Sequence, residues 1–94
     1  MFITENKEFA MESKEISEVH FYQGVKFGGS VIRFVILDSA YSDATLRRGN
    51  KAKLHDGVGV TVVNENSGEE ITVPFNNISY IKFVKTQGNV RKIK

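Results

Sequence analysis

The sequence predicts a mainly β protein: a small barrel of five or six antiparallel strands, with an optional short helix at its N-terminus. Three observations lead there. The stretch Phe21-Tyr-Gln-Gly-Val-Lys-Phe-Gly-Gly-Ser-Val31 sets glycines among apolar residues as a bent β-hairpin requires. From Val19 onward, short runs of Val, Ile, Phe, Tyr and Thr alternate with Gly, Asn, Asp and Ser clusters, the pattern of short strands joined by tight turns. The chain has 94 residues, 40% hydrophobic and 26% charged, enough for one modest core and far from a disordered composition.

Thr4 is placed to cap a first helical turn. Glu5, Glu8, Glu12, Glu15 and Glu18 then recur at spacings of three and four, along one helical face opposite Phe9 and Ile16. That reading ends the helix near Ser17, and a strand starting at Glu15 fits the same residues. Gln23-Gly24 reads as a hairpin turn between strands over 18–22 and 25–37, with Gly28-Gly29 bending the longer strand so that it serves two half-sheets. Ser39 to Asn50 reads as a long polar loop with one helical turn after Ser42.

His55-Asp56-Gly57 separates a run ending at Leu54 from the strand Val58–Val63, and Asn64–Glu70 separates that strand from Ile71–Val73. Pro74 cannot donate to a ladder and marks a strand end or edge, and Asn76-Asn77 forms a tight turn before Ile78–Val84. The division is a single domain over 1–94: an N-terminal segment 1–17, a barrel 18–84 of SH3-like or OB-like type, and a basic tail 85–94.

The absence of cysteine excludes a disulfide framework and thiolate metal sites, and no run approaches the roughly 18 apolar residues of a membrane span. Met1 to Ala10 has no continuous apolar stretch, so the expected location is cytoplasmic, away from membranes. Net charge is +2 but segregated: residues 1–19 hold five Glu against two Lys, and the last fifteen hold five cations and no acid. Such segregation steers an anionic partner to one face, or matches an acidic segment of one copy to a basic segment of another; it also serves solubility alone.

Catalytic and metal chemistry find no support. His20 and His55 are the only histidines; the one carboxylate at ligand spacing is Asp56, and Asp56-Gly57 accounts for that segment as a turn. His20 reads as a half-buried or surface strand residue. Ser30, Ser39, Ser42, Ser67 and Ser79 lie in strands or turns without a nucleophile elbow, and Glu69 and Glu70 point to opposite faces of a strand start. No helix with Lys-Ser or Lys-Thr follows Gly24, Gly28 and Gly29, so these are not a phosphate loop. No enzyme activity, cofactor or metal is assigned.

What remains is binding. Arg47, Arg48, Lys51 and Lys53 place four cations within seven residues, the pattern of a phosphate-contacting patch or of a solvated loop. Tyr22, Phe27, Tyr41, Phe75 and Tyr80 are candidate stacking platforms, although a core this small is expected to take most aromatics.

Two stretches resemble the Sm-like (Hfq/LSm) small β-barrel family. Phe21-Tyr-Gln-Gly24-Val-Lys-Phe27-Gly-Gly29-Ser-Val31 matches the apolar, glycine and aromatic positions of its first motif. Val73-Pro-Phe-Asn-Asn-Ile78-Ser-Tyr-Ile81 is similar to the second in length and apolar placement, and the two cover about a fifth of the chain. The chain departs from the family at Arg33-Phe-Val-Ile-Leu37, where an RNA-contacting Asp is usual, and in its long loop 39–50. The resemblance implies a homo-oligomeric ring closed through strand edges. It also implies that Asn76 and Asn77 lie at the pore-side turn, holding single-stranded RNA with Phe75 as a stacking face. Two other readings stand beside it: a protein-interaction module, such as a small mobile-element inhibitor or adaptor of a host protein, and a structural subunit of a ring assembly.

Overall fold

The computed structural model describes residues 14–85, which form strands, three short 3-10 segments and the turns and irregular connections between them. Strands are β1 (Lys14–Phe27), β2 (Ser30–Ile36), β3 (Asn50–His55), β4 (Gly59–Asn64), β5 (Glu70–Pro74) and β6 (Ile78–Lys85). They form two three-stranded antiparallel sheets, ordered β2-β1-β6 and β3-β4-β5. No ladder joins the sheets among the described residues, so the hydrogen bonding does not close into a barrel. The chain crosses between sheets through the 37–49 connection and through a single 3-10 turn, Phe75–Asn77. Among the described residues no helix is long and apolar enough to cross a membrane.

The core draws on both sheets: Ile16, Val19, Phe21 and Phe27 of β1, Val35 of β2, Leu37, Val60 and Val62 of β4, and Val73 of β5. Stiff β-branched residues dominate it, as suits side chains packed on pleated surfaces. Central strand β4 is buried from Gly59 to Thr61 and Val62 without alternation, and the Thr61 hydroxyl is satisfied by Thr72 at 2.8 Å.

Three sequence expectations change. Glu15 and Glu18 belong to β1, because Ile16, Val19 and Phe21 bury against the second sheet and the strand alternative prevails. Thr4, Glu5, Glu8, Phe9 and Glu12, like the tail 86–94, lie outside the described residues. The hairpin turn is Gly28-Gly29, not Gln23-Gly24. Gly28 and Gly29 have φ of 67° and 80°, the paired positive torsions of a two-residue hairpin turn. Gln23-Gly24 instead sits inside β1, where the register with β2 shifts between His20 and Val25. The Asn77 amide keeps the strand running there, accepting from Gln23 N at 2.8 Å and donating to Gln23 O at 3.2 Å. Finally, the single bent strand over 25–37 is replaced by the end of β1, the turn and β2; the second half-sheet starts afresh at β3 after the loop. That loop holds two 3-10 turns, Asp38–Ala40 and Ala44–Leu46, the latter capped by Asp43.

Candidate nucleic-acid interface

The loop that carries the arginines is built around one carboxylate. Asp38 accepts backbone N–H groups from Arg48 (3.0 Å), Gly49 (3.1 Å) and Asn50 (3.3 Å), folding the chain back before β3 begins. Gly49 makes the turn with φ of 88°. Arg47 donates through Nε and Nη2 to the Tyr41 carbonyl at 3.2 and 2.8 Å, and Asn64 and Asn66 both donate to the Arg48 carbonyl. Both arginines are therefore held by the backbone while remaining exposed.

Arg47, Lys51 and Lys53 come together with Lys14 around a cleft of about 440 Å³ between the start of β1, the end of β6 and β3. Ile16, Leu37, Ala52, Leu54 and Phe83 supply its apolar surface. Its two carboxylates are Glu15 and Asp38, and Asp38 is consumed by the three backbone donors. Lys51 reaches Glu65 only at 4.0 Å with both side chains more than half exposed, a pair that holds little energy and leaves the ammonium available.

Phe75, Asn76 and Asn77 lie elsewhere. The β3–β4 register pairs Asn50 with Asn64 at the arginine end and His55 with Gly59 at the other, and Gly59 faces Pro74. The turn follows directly at that far end, where Phe75 N donates to Val58 O. Asn77 is committed to Gln23, whereas Phe75 and Asn76 are exposed. One chain thus presents two separate groups rather than one patch.

A feature that the sequence did not disclose lies on the β2-β1-β6 sheet. His20 pairs with Phe34 on one side and Tyr80 on the other, and the three rings stack across the strands. His20 Nε2 donates to Glu18 Oε1 at 2.9 Å, and Lys82 Nζ stands 3.7 Å from the second Glu18 oxygen. The His20 hydrogen bond, aided by the Lys82 charge, holds the Glu18 carboxyl below its ordinary range against a smaller opposing effect of burial. Asp43 is lowered likewise, by the Thr45 N–H and hydroxyl. Among the described aromatics only Phe21 and Phe27 are buried, so the expectation that the core takes most of them fails: valines fill it. Lys14 and Phe83 were also missed as cleft residues, because their meeting with β3 is a matter of sheet placement that spacing does not encode.

Compared with protein-family models, curated proteins and solved structures, the chain matches none. Among the described residues no group of three or more His, Cys, Asp or Glu converges as a metal site would require. Function is therefore argued from the two surfaces themselves.

Proposed function

We propose that this chain is a non-catalytic, Sm-like small-β module that binds single-stranded RNA and assembles with copies of itself. The observation that carries the reading is the cleft in which Lys14, Arg47, Lys51 and Lys53 surround an apolar floor while Asp38 is withdrawn into backbone hydrogen bonds. Cations line up for phosphates, and apolar walls suit sugar and base edges. Self-assembly is supported by strand edges: the outer sides of β5 and β6, joined by a single 3-10 turn, pair with no other strand among the described residues. Phe75 and Asn76, which do not line the cleft, belong to the turn that joins those two strands.

The test is a titration of labelled oligouridine by fluorescence anisotropy across salt. Four phosphate contacts on a single strand give a log–log slope of about −2.8, so affinity falls about 50-fold between roughly 50 and 200 mM salt. Lys51→Gln with Lys53→Gln reduces the slope to about −1.4. A wild-type slope near zero refutes the phosphate account. Light scattering on nuclease-treated protein reads assembly in parallel: several multiples of 10.6 kDa are expected, and a strict monomer refutes the self-assembly.

A further inference from the structure

We infer that the outer face of the β2-β1-β6 sheet is a second RNA contact, a stacking site for an unpaired nucleobase formed by Phe34, His20 and Tyr80 with Lys82 beside them. The inference rests on the single-stranded-RNA reading above.

The register sets the rings at one level across three strands, Phe34 opposite His20 and His20 opposite Tyr80. His20 and Tyr80 are 4.1 Å apart between centroids and 16° from parallel, His20 and Phe34 5.2 Å and 14°. They stand side by side as plates whose separation approaches the spacing between strands. β2 and β6 are the two edges of this sheet, so the ring faces turned away from His20 meet no further strand among the described residues. Phe34 is 48% and Tyr80 50% exposed. A planar base laid against either one extends the column by one plate.

The middle ring is fixed rather than free, because Glu18 accepts from His20 Nε2. Lys82 follows Tyr80 by two residues and so shares its face of the strand; its ammonium stands 3.7 Å from Glu18 Oε2 with the side chain more than half exposed, a weak pair that a nucleotide phosphate can compete with. Area argues against a protein partner. Two half-exposed rings and the edge of His20 offer roughly 200 Å² of apolar surface, on the order of 150–250 Å² being the whole of each large aromatic, against about 800 Å² per side for a stable protein interface. The cleft is also close. Its Ile16 and Phe83 lie four and three residues from His20 and Tyr80 on the same two strands, about 10–13 Å along them, but Ile16 faces the core, so an RNA strand that fills both sites turns round the sheet.

The experiment titrates an oligouridine of about ten nucleotides, within the site sizes of small barrels, against the full chain and its variants at several salt concentrations. Tyr80→Leu and Phe34→Leu are each expected to weaken binding by roughly 5- to 150-fold, the range for losing one stacked base, with the salt slope unchanged. Tyr80→Phe keeps the ring and stays within about twofold of wild type. With Tyr22→Phe and Tyr41→Phe as background, Tyr80 is the sole tyrosine in a chain without tryptophan, and its emission falls on binding; melting curves report the fold of each variant. Wild-type affinity in both leucine variants, with the wild-type salt slope intact, overturns the stacking site and leaves the RNA reading standing. Absence of binding by the wild type at low salt overturns both.

Discussion

Replacing Asp38 by alanine removes the acceptor shared by three successive backbone N–H groups, those of Arg48, Gly49 and Asn50. Charge-assisted hydrogen bonds contribute about 1.5–3 kcal/mol when well shielded. Here the carboxylate is half-buried, Gly49 divides its donor between both oxygens, and the Asn50 bond is 3.3 Å, so about 1 kcal/mol per donor is appropriate. The loss is then about 3 kcal/mol, since water can reach only some of the freed donors. For a domain of this size that lowers the melting temperature by about 12–24 °C. Thermal denaturation followed by circular dichroism measures it, and a urea series with unchanged m-value shows that the native state alone is affected. Asp38→Asn, which keeps one acceptor oxygen without the charge, should lose about half as much. A fall below about 4 °C in the alanine variant would mean that the loop before β3 is held by something other than this carboxylate.

Gly59→Ala should be far more damaging than Gly57→Ala. A Cβ at Gly59 would overlap the Val73 carbonyl oxygen and Pro74 Cα, both backbone, whereas at Gly57 the space is open and only the φ of 76° resists. Costs of more than about 3 kcal/mol and of about 1–2 kcal/mol are expected, and the reverse order in melting experiments would contradict the close approach of β4 to β5. Glu18 titrates below its usual 4.5, so the stability its ionised form provides is present above that pH and disappears as pH falls through the lower folded value. Its carboxyl resonance, followed by NMR, should move back toward ordinary titration in His20→Ala; an unchanged titration would show that the Glu18–His20 hydrogen bond does not form in solution.

Strand identity was legible in the sequence wherever turn chemistry marks it: Asp56-Gly57 separates β3 from β4, and the Asn64–Gly68 cluster separates β4 from β5. The first turn was legible but misassigned: Gly28-Gly29 is a stronger two-residue hairpin signal than Gln23-Gly24. What the sequence does not show is Asn77, fifty-four residues away, holding Gln23 within β1. The same long-range contact explains the mixed fate of the proposed turn site. Asn76 and Asn77 look alike in sequence, yet one clamps a bulge and the other faces solvent. Of the cationic cluster, spacing revealed Arg47, Lys51 and Lys53, while Lys14 arrives from the far end of another strand.

The irregularities of the β1–β6 ladder decide how the two surfaces relate. Its register shifts between Ile16 and Glu18 and again between His20 and Phe21, leaving Glu18–Lys82, Val19–Ile81 and His20–Tyr80 as a short island of regular pairing. A polar side chain accompanies each shift: the Ser17 hydroxyl donates to Lys82 O at the first, and Asn77 holds Gln23 just beyond the second. Bulges re-aim side chains and increase local twist. The stacked rings and their Glu18–Lys82 pair occupy the regular island, whereas Ile16 and Phe83, beyond the first shift, line the cleft. Deleting Ser17, the extra residue of the first shift, would leave Ile16 opposite Phe83 and Glu18 opposite Lys82 in one regular ladder, losing only the Ser17–Lys82 bond and the local twist. In the salt titration Lys51→Gln with Lys53→Gln should lower the slope and keep the dependence on Tyr80, whereas Tyr80→Leu should weaken binding at an unchanged slope, which separates the two surfaces in one chain.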